Sequence, residues 1–162
     1  MDDPACHAYQ GMNMKNRTIF DGPGLAYVYL IYGRYPMVNV NCEAKGKGSA
    51  VLIRALNPLD GLDLMKERRG RNDLCTGPGK LTQALGIGMG LDAHDLTNPP
   101  LTIRHGDPPE GEIVATTRIG ISRGTELPYR YLVLDDPNVS VRPKVISTRG
   151  LERSAFVPSS RP

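Results

Sequence analysis

The stretch Tyr27-Val28-Tyr29-Leu30-Ile31-Tyr32-Gly33 commits this chain to a β-strand with an aromatic face. Period-two alternation sends Tyr27 and Tyr29 to one side of the strand, while Tyr32 at its end projects past the sheet. Tyr35 follows just after the glycine, and Asn39 and Asn41 alternate in the same way along the next run. An aromatic tip backed by planar polar side chains suits the handling of a flat, stacked ring, which points to a nucleobase. Strand tyrosines also pack sheets with no ligand involved, so the pattern alone leaves both readings open. Asparagine in a strand interior is disfavoured and asks for a reason. Its one acceptor and two donors are enough to reject a base with the wrong edge group.

Strands are expected at 25–32, which holds the aromatic run, 36–42 and 50–56, with a basic turn, Lys45-Gly46-Lys47-Gly48, between the last two. Residues 1–24 read as polar and irregular. Asn57-Pro58 should open a helix, with Asn as N-cap and Pro in the first turn, and Leu59, Leu62, Leu64 and Met65 should form its apolar stripe. Thr76-Gly77-Pro78-Gly79-Lys80 should open a second helix, and short strands are expected near 101–105, 112–121 and 129–134. No regular βαβ rhythm appears. The expected fold is a single α+β domain, a mixed, mainly antiparallel curved sheet flanked by helices. It should occupy residues 1–146, and residues 147–162, rich in Pro and Ser, should form a disordered tail.

At 162 residues the chain is long enough for one real core, and its 14 prolines and 18 glycines imply short elements and many turns. A net charge of +3 tolerates a polyanionic partner without demanding one. Cys6, Cys42 and Cys75 are odd in number and lack metal spacing, so reduced thiols, a cytoplasmic setting and no metal or other cofactor are expected. No apolar run approaches a membrane span, and the first residues do not resemble a signal peptide.

Arg54 interrupts the apolar run Val51–Leu56, where an unpaired guanidinium is costly. It either pairs with a structural carboxylate at the sheet rim or serves a reaction by meeting a catalytic carboxylate or holding a water. Gly77-Pro78-Gly79-Lys80 lacks the spacing of a phosphate-binding P-loop, yet its amides and Lys80 could meet a DNA phosphate at the helix start. Lys66, Arg68, Arg69 and Arg71 read more simply as a solvated helix end.

Taken in order, these segments resemble the alkyladenine (3-methyladenine) DNA glycosylase family. The matching pieces are Asp3-Pro4-Ala5-Cys6-His7, Phe20 with Gly22-Pro23-Gly24, Tyr27-Val28-Tyr29 and Ile31-Tyr32-Gly33. They continue through Asn39, Val51–Pro58, Gly77–Leu81 and Arg118-Ile119-Gly120-Ile121, covering the chain to about residue 145. The resemblance implies a monomeric repair enzyme, associated with the bacterial nucleoid, that excises alkylated or deaminated purines from double-stranded DNA. It implies that Tyr32 is the wedge filling the gap left by a flipped nucleotide, and that Tyr29 and His7 wall the base pocket. Asn39 would crowd the exocyclic amine of guanine, and Arg54 with the carbonyl of Ile119 would hold the attacking water. An electron-rich aromatic pocket favours a cationic alkylated purine. The family's catalytic Glu lies in a Glu-x-x-Ala-Tyr-like segment just upstream of the position of Met1. Asp2 and Asp3 align with the loop after it. The chain as written is therefore expected to be inactive or nearly so, Met1 being either an internal methionine of a longer product or the start of a truncated one. A lesion-binding protein without catalysis is the alternative.

Overall fold

The computed structural model describes residues 3–142. The aromatic run forms β1 (Ala26–Ile31), antiparallel to β2 (Tyr35–Asn41), which in turn pairs antiparallel with β3 (Ala50–Leu52). Ile31 opposes Tyr35, so only Tyr32, Gly33 and Arg34 turn the chain, and the Arg34 amide donates to the Ile31 carbonyl at 3.2 Å. Tyr32 and Gly33 both take left-handed backbone, φ 52° and 70°. Glycine adopts that conformation freely, but a bulky residue does so only under strain.

Both faces of the three-stranded sheet are covered. Ala26 and Val28 of β1 and Val38 of β2 join a core with Leu74, Cys75, Leu81, Ala84, Ile87 and Leu96. Tyr27 joins a second cluster on the opposite face with Ala8, Ile19 and Phe20, and Tyr29 packs beside it. The N-terminal segment is therefore a folded cover over the tyrosine face. It is stapled by Asn16, whose side-chain amide donates to the carbonyls of His7 (2.8 Å) and Gly11 (3.0 Å). The approach is close at Gly48, where an added Cβ would lie 2.5 Å from that of Ala8. The free edge of β1 is closed by the segment around Asp92, whose carboxylate accepts from the Val28 amide (2.9 Å) and the Thr18 hydroxyl (2.8 Å).

The first helix, α1, runs Leu62–Arg69, later than Asn57-Pro58 signals. The Leu56 amide donates to the Cys75 carbonyl, which binds the segment before those signals to the body of the protein, and left-handed Gly61 sets the helix start instead. The expected stripe fails with it: Leu59 is 78% exposed, Leu62 and Leu64 are exposed too, and only Met65 reaches the core. The second helix, α2 (Pro78–Leu85), starts where expected, with Pro in its first turn, and buries Leu81, Thr82 and Ala84. The Thr82 hydroxyl donates to the Pro36 carbonyl at 2.8 Å, locking α2 onto β2.

No strand forms at 101–105. Pro99 and Pro100 lack amide hydrogens to extend a ladder, and one bond, Ile103 amide to Leu96 carbonyl, anchors the segment. β4 (Ile113–Thr116) and β5 (Arg130–Val133) pair antiparallel as a separate two-stranded sheet. β4 stops short of the expected 121 because Arg118 is drawn away to Asp3. The fold is α+β in a single domain, and every strand pairing among the described residues is antiparallel. The expected tail at 147–162 lies outside those residues.

Candidate functional site

The aromatic site grows from β1 and the segment that covers it. Tyr27 and Tyr29 stack at 5.5 Å between ring centroids, 29° from parallel. The His7 ring stands edge-on to both, 4.4 Å from Tyr29 and 5.9 Å from Tyr27. His7 Nδ1 lies 2.9 Å from the Tyr27 hydroxyl. Burial pushes the His7 ring below its ordinary value, raises the phenol of Tyr29, and pushes that of Tyr27 up to about 12. At neutral pH the three rings are uncharged.

Beside them, a concavity of about 420 Å³ is lined by the turn carrying Pro4, Cys6 and His7 and by Gly120–Arg123 of the loop between β4 and β5. That loop is tied in by Arg118, which grips both oxygens of Asp3 at 2.6 Å. Ile119 lies between Arg118 and the concavity-lining Gly120, so the pairing that the sequence spreads over the whole chain closes here.

Asn39 is buried opposite Tyr27, and its side-chain amide donates to the Tyr27 carbonyl at 3.0 Å. That bond answers the question its place in a strand poses. It also fixes the side chain on the tyrosine face, since residues directly opposed across a ladder share a face. Tyr32 is 89% exposed at the hairpin tip. Arg54 is half-buried just beyond β3. Among the described residues no carboxylate or hydrogen-bond acceptor engages it, and burial followed by the nearby charge of Arg130 lowers its pKa. Lys80 stands apart from this group in the first turn of α2. Its ammonium is already held by Asp73 at 2.6 Å and Thr76 at 2.9 Å. A smaller concavity there is lined by Tyr35, Arg69, Gly77, Gly79 and Lys80.

Comparison with known proteins shows the family. The family model described as Methylpurine-DNA glycosylase matches residues 1–137. The chain belongs to that family. A relative from Rubrobacter xylanophilus is 62% identical over 155 residues, covering 94% of this chain and 81% of its own length. One from Methanoculleus marisnigri is 49% identical, over 86% of this chain and 77% of its own, and one from Carboxydothermus hydrogenoformans is 48% identical, over 86% and 75%. Each of the three is named "Putative 3-methyladenine DNA glycosylase".

In this methylpurine-DNA glycosylase family member, His7, Tyr29 and Asn39 gather on or beside one face of the sheet, whereas Tyr32 stands at the hairpin tip and Lys80 in the first turn of α2. Sequence reasoning missed Tyr27 as the partner of His7, Asn16 as the staple of its turn, and the Asp3–Arg118 clasp. The signal for Tyr27 was there, since it shares the alternation of Tyr29. A clasp between residues 115 apart leaves no local pattern. Among the described residues no three His, Cys, Asp or Glu side chains gather as a metal site, and no helix is long and apolar enough to cross a membrane.

Proposed function

We propose that this protein recognises alkylated or deaminated purines in double-stranded DNA by rotating the nucleotide out of the helix, acting as a monomer. The observation that carries the reading is one hairpin with two kinds of tyrosine. Tyr32 is exposed on a strained turn at its tip, and Tyr29 is half-buried against His7 along its length. The tip fills the vacated stack, and the aromatic face receives the base. Uncharged rings attract a cationic alkylated purine through their π-faces without repelling it. Asn39, fixed by its bond to the Tyr27 carbonyl, crowds the extra amine of guanine.

Excision breaks the N-glycosidic bond as water attacks the sugar carbon; the base leaves with the bonding electrons. Arg54 and the carbonyl of Ile119 orient that water. The step also needs a carboxylate to take its proton and to stabilise the oxocarbenium-like sugar. The acids nearest the rings are committed elsewhere, Asp3 to Arg118 and Asp92 to Thr18 and the Val28 amide. We therefore place the general base outside the described residues. A lesion-binding role without catalysis draws on the same observation.

The test is binding and base release on a duplex with one hypoxanthine or alkylated adenine. Lesion-dependent binding without abasic-site formation supports the reading. Loss of excision on replacing Asp3 or Asp92 in a folded protein would overturn the placement of the base, and equal affinity for undamaged duplex would overturn lesion recognition itself.

A further inference from the structure

The segment that follows His7 shows apolar side chains to solvent from a backbone that is firmly held. Met12 is 61% exposed, Met14 84% and Tyr9 47%. Between the two methionines the Asn13 side chain is spent on the turn itself. Its oxygen accepts from the amides of Lys15 (2.8 Å) and Asn16 (3.2 Å), while the Asn13 amide donates to the Asn16 side-chain oxygen at 2.6 Å. Asn16 is buried and donates onward to the carbonyls of His7 and Gly11. The methionines therefore stand on a fixed turn. Neither joins a core cluster, so packing does not require them to be apolar. Apolar side chains gathered at one place on a surface mark a contact with something else.

Place and charge name the occupant. Tyr9, Gln10 and Asn13 of this turn wall the same concavity as His7, so the turn borders the aromatic site. Lys15 and Arg17 are exposed on either side of Asn16, and no carboxylate pairs with them among the described residues. Arg123, from the loop between β4 and β5, lines the concavity as well. Free cations beside apolar side chains complement a surface that sets phosphates beside apolar sugar and base edges. We propose that the turn Tyr9–Arg17 is a second DNA-contacting arm, laying Met12 and Met14 against the duplex beside the flipped nucleotide while Lys15 and Arg17 meet its phosphates. The arm extends the lesion-recognition reading and rests on it for the identity of the ligand.

Methionine suits that duty. Its unbranched thioether adapts to an irregular surface, and apolar side chains of this kind lodge against base steps where a duplex has been opened. The arm and the hairpin meet at one point in the fold, where His7 packs 4.4 Å from Tyr29. The duplex is thus touched by two separate segments, the Tyr32 tip and the methionine turn, with the aromatic site where they join.

Oxidative footprinting of the 162-residue protein tests this without any variant. Hydrogen peroxide transfers one oxygen to an accessible thioether, giving the sulfoxide and water, and mass spectrometry reads the rate at each methionine. Met12 and Met14 should oxidise readily in the free protein and several-fold more slowly with a saturating hypoxanthine duplex. Met89, 45% exposed and outside the turn, serves as the reference rate in both samples. The double variant Met12→Ala, Met14→Ala should lose about tenfold in duplex affinity with its salt slope kept, since only apolar contact is removed. Lys15→Ala with Arg17→Ala should instead lower that slope by about two units. Duplex binding that leaves Met12 and Met14 oxidising as fast as before, relative to Met89, would overturn the arm and leave lesion recognition intact. Protection by lesion and undamaged duplexes bound with equal affinity would strike lesion recognition and leave the arm standing. Failure to bind any duplex would overturn both.

Discussion

Arg118 grips Asp3 through two parallel bonds of 2.6 Å and thereby joins the turn bearing His7 to the loop bearing Ile119. The guanidinium's hydrogen bond holds the Asp3 carboxyl below its ordinary range, against the opposing effect of burial. The sign follows from that direction. The folded state binds the proton less readily than the unfolded chain, so the clasp contributes fully above the ordinary carboxylate value and is lost as pH falls through the lowered one. Asp3→Asn should destabilise the protein by about 1.5 kcal/mol near neutral pH in urea unfolding, towards the low end because the pair retains some solvent contact. It should also flatten the acid side of the stability profile. An unchanged midpoint and profile would show that the clasp holds nothing.

The wedge assignment separates affinity from stability. Tyr32 is 89% exposed, so Tyr32→Ala should leave thermal unfolding nearly unchanged. Affinity for a lesion duplex should fall by about 1–3 kcal/mol, the usual worth of one aromatic–base stack. Tyr32→Gly should lose the same affinity while gaining slight stability, because glycine relieves the left-handed backbone. Undiminished lesion affinity in both variants, measured by fluorescence anisotropy, would remove the wedge.

Asn39 carries a structural and a selective duty at once. Asn39→Ala removes a buried donor to the Tyr27 carbonyl and should cost about 1–3 kcal/mol of stability. It should also raise the affinity of the pocket for duplexes with guanine at the test position. A stable variant with unaltered guanine rejection would assign Asn39 to neither duty.

Lys80 is expected to be a restrained DNA contact. Asp73 holds its ammonium at 2.6 Å and Arg69 from the other side at 3.1 Å, so a phosphate must compete with that carboxylate. Asp73→Asn should raise affinity for undamaged duplex, and Lys80→Ala should lower it and reduce the salt slope by about one unit. Equal salt slopes for wild-type and Lys80→Ala protein would take Lys80 out of the interface.

The strongly patterned parts of this molecule were legible in its sequence. Alternation located β1 and the shared face of Tyr27 and Tyr29, and Gly33 marked the turn. Pro78 marked the start of α2 correctly, since its fixed φ suits the first helical turn and it has no amide hydrogen to leave unpaired. Asn57-Pro58 offered an equally good signal and failed, since a backbone bond from Leu56 to Cys75 and the left-handed Gly61 decide where α1 begins. The N-terminal 24 residues looked irregular because their order comes from distant partners: Asn16 reaches His7 and Gly11, Thr18 reaches Asp92, and Asp3 reaches Arg118. Of the site, the shared face of Tyr27 and Tyr29 could be read from the sequence. The contact between Tyr27 and His7, 20 residues apart, required the folded arrangement.

The central claim is that the hairpin and its aromatic face capture a damaged purine out of the helix. Competition binding of the 162-residue protein to two duplexes that differ only in a single hypoxanthine, with a fluorescent base analogue beside it to report unstacking, tests this most directly. The account predicts tighter binding to the hypoxanthine duplex, with a rise in fluorescence that disappears in Tyr32→Ala. Equal affinity for both duplexes with no unstacking signal would contradict it.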